Sequence, residues 1–443
     1  MSKYFIHGGQ PLKGVVRPEG FKHAFVTVLS AAFLTRTHFT VLGAPMQEES
    51  QVLLSLLSEV GVDCRRFGDK VIIDIDSVSG SFSRSLFDSI HGSVYLIPGL
   101  LVHTGSAYLG TAGGCAIGDG VGGSRPISHY FNILEEFGAN VNRDTGYISL
   151  PSMGLLGTTI DLVDYTNSLR LGLTGPLYSG ATKFAILCAA IAEGVTEIRH
   201  PYFKADVQEL IAVLVKLGAF IEVDDCNEVM YIARGNILDY SRDVTHTLIP
   251  DFIQALTWVT AGVITEGDVS VIVDHPKRVL EAMGPEVSAL EGMGVGIECS
   301  DNMLYGVWDA PLKPIDLCVE SQGVFSDVQS LYALLMTRAH GLSTITDYVW
   351  GDRFGYIDAF IKLGVDVYKE ATGTLNIRGS KLSCNNYTEI IATDLRVGVC
   401  ITLAALSVDR DIVVHNIDHI YRGFAQFDKI LRELGGVVML TRE

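Results

Sequence analysis

Apolar and polar positions along the chain fall into one arrangement that returns six times. An amphipathic, helix-spaced run leads to an apolar residue, a Gly and a small residue, and then to a strand, a turn and another strand. The copies read VLLSLLSEVGVDCRRFGDKVIIDI, FNILEEFGANVNRDTGYISL, LIAVLVKLGAFIEVDDCNEVMYIA, VSALEGMGVGIECSDNMLYGV, FIKLGVDVYKEATGTLNIRG and ILRELGGVVML, the last cut short by the terminus. Their glycines are Gly61, Gly138, Gly218, Gly294, Gly364 and Gly435, with successive separations of 77, 80, 76, 70 and 71 residues. Each stands where a helix ends and the chain must turn into a strand, a place where a left-handed backbone favours Gly. A second helix closing into a strand lies upstream, as in LSAAFLTRTHFTVL, ILCAAIAEGVTEIRH and ITLAALSVDRDIVVH. The unit is therefore strand, helix, strand, helix, strand, strand. Helices this apolar predict two globular halves of three units each rather than an open solenoid, with the midpoint near HTLIPD at residues 246–251.

A length of 443 residues agrees with more than one core, since domains run to about 150 residues. Apolar residues at 48% and charged residues at 19% describe a folded chain. No apolar run reaches the roughly 20 residues of a membrane helix, and MSKYFIHGG lacks the basic and apolar regions of a signal peptide. The expectation is a cytoplasmic protein with no membrane partner. A net charge of −18 argues against nucleic acid, which needs clustered cations. It also means that an anionic substrate must be held by a local group of Arg and Lys. The eight cysteines show no C-x-x-C pair and no metal-like spacing, so neither a disulfide framework nor a zinc site is expected. All but one or two should be small core residues.

Cys115 is the exception, inside GTAGGCAIGDGVGGSRP. Glycines in such number allow backbone N–H groups to approach an anion; a plain surface loop with an incidental thiol is the alternative. Gly118, Gly120 and Gly123 match G-x-G-x-x-G. A dinucleotide site would need a parallel βαβ unit here, whereas the repeat places two further strands after the helix. No Lys-Ser/Thr follows the glycines, which removes a P-loop. Phosphate chemistry would then rest on side-chain cations. Lys22 follows PEGF at a helix start, where the N–H dipoles already favour an anion. Arg353 in VWGDRFGY, Arg396 in ATDLR and Arg422 in HIYRGF each stand where a strand gives way to a helix. One isolated Arg would be read as a surface salt bridge; recurrence at repeat positions favours a shared anion site.

Taken together, LKGVVRPEGFKHA, GGCAIG, SDVQSLYALL, GDRFGYIDAFIKLG, ATDLR and HIYRGFAQFDKILRELGG resemble the enolpyruvyl transferase superfamily, and within it the UDP-N-acetylglucosamine enolpyruvyl transferases of peptidoglycan synthesis (MurA), along essentially the whole chain. The resemblance implies an α/β fold, the two-domain inside-out α/β barrel of six βαβαββ repeats, three per domain. It implies domains of 22–248 and of 1–21 plus 249–443, with the active site in the cleft between them, and a monomer. The implied reaction adds an acceptor hydroxyl to C2 of phosphoenolpyruvate while C3 is protonated, and the tetrahedral ketal then expels phosphate. Cys115 matches the family's proton donor and Asp327 the acid proposed to take the hydroxyl proton. Lys22, Arg125, Arg353, Arg396 and Arg422 match positions that hold phosphate, carboxylate or the closing domain. No metal or organic cofactor is implied; the partners are phosphoenolpyruvate and a nucleotide acceptor.

Departures from the family fall mainly on the acceptor side. His23 stands for an Asn after the first-helix Lys, His91 in SIHGSVY for an Arg, and Ser128 for an Asp that contacts the uracil ring. Arg125 lies ten positions after Cys115, where the family's Arg lies five. Three readings follow: a paralogue acting on another uridine nucleotide, for example UMP in nucleoside-antibiotic biosynthesis; the cell-wall enzyme acting on UDP-N-acetylglucosamine; and a non-catalytic relative. Retention of Cys115, Asp327, Arg353 and Arg422 weighs against the third, and the departures favour the first.

Overall fold

The computed structural model describes residues 2–442 except 112, 115–124, 168–171, 238–242, 309, 310, 372, 385 and 386. The chain divides into two units, Gly20–Ile249 and a second made of the residues up to Glu19 together with those from Pro250 onward.

Helix ends recur as the repeat demands. All six repeat glycines have positive φ, from 78° at Gly364 to 104° at Gly218. At Gly218 the N–H of the glycine donates to Val215 O and that of Ala219 to Leu214 O, both at 3.0 Å, which satisfies two carbonyls of the helix Ala205–Leu217. The same paired bonds close the helices before Gly61, Gly138, Gly364 and Gly435. A side chain at such a φ is strained, so Gly both ends the helix and aims the next strand.

In five of the six sheets the first two strands are parallel and the last two fold back antiparallel. In the second unit, Asp316–Val319 pairs with Leu342–Asp347, which pairs with Thr374–Arg378, which pairs with Asp366–Lys369. Lys13–Val16, Asp268–Ile272, Met303–Trp308 and Val295–Ser300 repeat that order. The third sheet is completed from a distance. Strand Lys3–His7 lies antiparallel between Asp411–His415 and Val437–Thr441, taking the place that the truncated sixth copy leaves open. The first helices of these three repeats, Phe252–Ile264, Gln329–Met336 and Leu395–Leu406, are buried along their whole length and pack on one another, with the sheets outside them. Trp258 anchors this core against the rings of Phe424 and Phe427, and its truncation to Ala would cost about 3–5 kcal/mol.

The first unit follows the same plan. Asp243–Thr247, at its far end, pairs in parallel with His38–Leu42 and so opens the sheet that continues through Lys70–Asp74 to Asp63–Phe67. Thr159–Asp161, Val195–Arg199, Val229–Ala233 and Phe220–Asp224 form another four-stranded sheet. Ser106–Tyr108, Tyr147–Ser149 and Asn140–Asn142 form a three-stranded one. Strand Ser106–Tyr108, which precedes the Gly-rich segment, is antiparallel to its neighbour. Among the described residues no parallel βαβ unit of a dinucleotide site flanks the fingerprint.

The cysteines depart from expectation. Cys188 and Cys400 are buried, but Cys226, Cys299 and Cys318 are exposed. Cys226 sits in a hairpin turn, Cys299 in the exposed end of strand Val295–Ser300, and Cys318 on an outward position of strand Asp316–Val319, where sheet alternation rather than residue type decides the face. No helix among the described residues is long and apolar enough to cross a membrane.

Candidate functional site

In the second unit, the segment between Phe325 and Arg353 brings opposite charges together. Helix Gln329–Met336 is preceded by a short 3-10 turn, Ser326–Val328, that carries Asp327. Arg353 Nη2 donates to Asp327 Oδ1 at 2.9 Å and Arg396 Nε to the same oxygen at 3.1 Å. The side chains are 7%, 9% and 21% exposed for Arg353, Arg396 and Asp327, so both pairs are largely desolvated and loss of one partner would leave the other charge buried and unpaired. Arg396 is the second residue of helix Leu395–Leu406, whose N-cap Asp394 accepts from the N–H groups of Arg396 and Val397. Beneath Arg353, Ser326 Oγ donates to the buried Asp347 Oδ2 at 2.6 Å and accepts from Arg353 Nη1 at 3.4 Å.

Arg422 ends the 3-10 helix Ile417–Arg422 after strand Asp411–His415. It holds the same place after the second strand of its repeat as Arg353 does in the one before. Lys22 and Arg396 instead both open first helices. The recurrence read from the sequence is therefore two sets of equivalent positions rather than one.

The first unit carries a second polar cluster. Lys22, at the start of helix Lys22–Ala32, is bridged to Glu49 at 2.9 Å. His23 follows it, its ring 5.3 Å from that of Phe21. His91 opens the 3-10 helix His91–Leu96, and its Nε2 meets Tyr130 OH at 3.3 Å while its Nδ1 is buried with no hydrogen bond to a described residue. Burial, then Arg125, His129, Lys183 and His23, push its pKa well below the ordinary 6.5. Burial alone moves His129 down to about 3. Lys183 donates to Asp206 Oδ2 at 2.8 Å, the two side chains 10% and 1% exposed. Burial would raise the Asp206 carboxyl, but Lys183 and then His23 outweigh it and hold the pKa below the usual range.

Of the expected acceptor residues, the structure brings His23 and His91 into this cluster with Arg125. Ser128 opens helix Ser128–Glu136 on an exposed position, whereas its neighbours His129 and Tyr130 are buried. Cys115 lies outside the described residues. His129, Lys183, Asp206, Ser326 and Asp347 were not singled out from the sequence. Lys183 did leave a trace there, as the one charge in the apolar run GATKFAILCAA. Among the described residues no group of three or more His, Cys, Asp or Glu could hold a metal ion.

The family profile of EPSP synthase (3-phosphoshikimate 1-carboxyvinyltransferase) matches residues 6–431. The chain is 29% identical to UDP-N-acetylglucosamine 1-carboxyvinyltransferase 2 of Bacillus subtilis, over 100% of this chain and 97% of that one. It is 30% identical to UDP-N-acetylglucosamine 1-carboxyvinyltransferase 2 of Mesorhizobium japonicum, over 98% of each. Among solved structures, the enolpyruvyl transferase NikO from Streptomyces tendae aligns with a TM-score of 0.91 at 32% identity over 99% of both chains. An EPSP synthase from Acinetobacter baumannii aligns at 0.72 with 16% identity, a likeness of fold alone. With six sheets, five of them in the strand order of a βαβαββ unit, and a match spanning nearly its whole length, the chain belongs to the EPSP synthase family and is an enolpyruvyl transferase.

Proposed function

We propose that this enolpyruvyl transferase acts on a uridine nucleotide other than UDP-N-acetylglucosamine, with UMP the simplest candidate. The observation that carries the reading is the setting of His91. Where the family resemblance expects a guanidinium, this chain has an imidazole with a buried ring nitrogen, and burial with nearby cations keeps it uncharged at neutral pH. A fixed positive charge is thereby replaced on the acceptor side by a neutral hydrogen-bonding ring, so the polar partners offered to the acceptor differ from those the resemblance gives for a nucleoside diphosphate sugar. The relatives named for UDP-N-acetylglucosamine stand at 29% and 30% identity and NikO at 32%, so overall likeness does not favour the sugar nucleotide.

In the reaction, the acceptor oxygen bonds to C2 of phosphoenolpyruvate and a proton adds to C3. Loss of a proton from C3 and of phosphate from C2 then restores the double bond. In this reading Cys115 supplies the C3 proton and Asp327 takes the hydroxyl proton, while Lys22, Arg125, Arg353, Arg396 and Arg422 neutralise carboxylate and phosphate. His23, His91 and Ser128 belong to the acceptor.

The test compares kcat/KM for UMP, UDP and UDP-N-acetylglucosamine by phosphate release at fixed phosphoenolpyruvate. UMP is expected to lead UDP-N-acetylglucosamine by at least about 10-fold, because a site with changed polar partners rejects a ligand that leaves buried groups unpaired. A clear preference for UDP-N-acetylglucosamine at ordinary efficiency would restore the cell-wall reading.

A further inference from the structure

The carboxylate at the end of strand Leu342–Asp347 makes more hydrogen bonds than capping its own turn requires. Asp347 Oδ1 accepts from the N–H groups of Val349 and Trp350 at 2.9 and 2.8 Å. Its Oδ2 accepts from Ser326 Oγ at 2.6 Å and from Gln329 Nε2 at 3.4 Å. Only 4% of the residue is exposed. Each oxygen serves a different partner of the Arg353–Asp327 pair.

Through Oδ1, the carboxylate fixes the turn that carries the arginine. Trp350 is held by its N–H, and Trp350 O in turn accepts from Arg353 N at 3.1 Å. Through Oδ2, it takes the single proton of Ser326, so the lone pairs of that hydroxyl are left to face a donor. Arg353 Nη1 lies 3.4 Å away on that side, while Nη2 of the same guanidinium reaches Asp327 at 2.9 Å. Gln329, the other Oδ2 partner, opens the helix that follows Asp327 and is itself fixed by Tyr356 OH at 2.8 Å. Two segments separated by about twenty residues thus meet on one buried carboxylate, and each leads to one member of the charge pair.

We propose that Asp347 is a positioning residue for the reaction: acting through Ser326 and the Val349–Trp350 turn, it holds the Arg353 guanidinium in the orientation in which it meets Asp327 and the substrate anion. The proposal rests on the reading that Arg353 binds phosphoenolpyruvate. Burial raises the pKa of Asp347 against the opposing pull of Ser326, the Trp350 N–H and Arg353, and four donors converge on its two oxygens. A neutral Asn in its place can accept the two backbone N–H groups. Its amide nitrogen would then donate toward Ser326, whose proton must turn toward Arg353 and repel the guanidinium.

The experiment is a double-mutant cycle on the full chain, reading kcat and KM for phosphoenolpyruvate by phosphate release alongside the melting temperature. Asp347→Asn is expected to lower kcat/KM about 10- to 100-fold, from the loss of oriented charge-assisted bonds. In an Arg353→Lys background, which lacks the fork that needs orienting, the same change should cost less than about 3-fold. A loss of the same size in both backgrounds would make Asp347 a structural residue only, and an unchanged kcat/KM in the folded single variant would also overturn the proposal. Should Asp347→Asn fail to fold, Ser326→Ala removes only the hydroxyl link; the expected result is a smaller loss that again vanishes with Arg353→Lys, and an additive loss counts against it. Normal turnover by Arg353→Lys itself would instead remove Arg353 from the anion site, the failure of the functional reading rather than of this one.

Discussion

Arg353 meets Asp327 at 2.9 Å with 7% of its own side chain and 21% of its partner's exposed to solvent. Arg65, by contrast, is 47% exposed where it reaches Asp63 and Asp74. A desolvated charge that loses its partner stays buried and unpaired, whereas a surface charge is taken up by water. Arg353→Ala should therefore cost about 2–5 kcal/mol of transition-state stabilisation, and Arg65→Ala less than about 0.5 kcal/mol. Arg422→Ala is expected to resemble the former, and equal small effects at all three would refute an anion site built on Arg353 and Arg422.

Cys115→Ala should abolish or severely slow turnover, and Cys115→Asp should keep part of it, since a carboxylic acid can also protonate C3. An epoxide that mimics phosphoenolpyruvate, such as fosfomycin, should alkylate the thiol. Near-normal phosphate release by the Ala variant, or the absence of an adduct on Cys115 by mass spectrometry, would take the thiol out of the mechanism.

The Lys183–Asp206 bridge ties helix Tyr178–Ala189 to helix Ala205–Leu217 in a desolvated interior. Removing one partner by Lys183→Met or Asp206→Leu should destabilise the fold by about 3–5 kcal/mol, and replacing both should recover most of that loss. Chemical denaturation of the three variants measures it. Additive losses in the double variant would show that packing, not the uncompensated charge, sets the cost.

The histidines of the first unit make stability fall with acid. His129 is held at about 3 against an ordinary 6.5, and His91 is shifted in the same direction. Below pH 6.5 the unfolded chain gains protons that the folded one refuses, so stability declines from about pH 6.5 down toward the folded value, by up to about 1.4 kcal/mol per pH unit for each such group. His129→Phe removes one of them along with two buried nitrogens that make no hydrogen bond. The variant should lose less stability than the parent between pH 7 and pH 5. Parallel curves would mean that His129 takes up its proton in the folded chain.

The repeat was legible in the sequence because its marks are local. A Gly at the end of an apolar helical run dictates its own φ, and all six repeat glycines adopt it. The cations at strand-to-helix junctions could be read for the same reason, since a helix start is set by the residues around it. Chemical roles came by resemblance, residue by residue, and so extended only to positions that the family also uses. Burial could not be read the same way: Cys226, Cys299 and Cys318 look like Cys188 in the sequence yet face solvent.

Partners distant in the chain belong to the tertiary structure alone. Alternating apolar residues show that Lys3–His7 is a strand, but nothing in them names Asp411–His415 and Val437–Thr441 as its neighbours, because ladder hydrogen bonds join backbones that are alike in every sequence. Asp327 and Arg396 are 69 residues apart, and Lys183 and Asp206 sit on separate helices. Ser128 and His129 differ by one position, and the turn of the helix alone sent the second inward and left the first in water. Local patterning along the chain was enough for the six turns, their helices and strands, and the positions that carry the family resemblance. Folding decided which charges lose their water together, since desolvation depends on everything that surrounds a group and not on its neighbours along the chain.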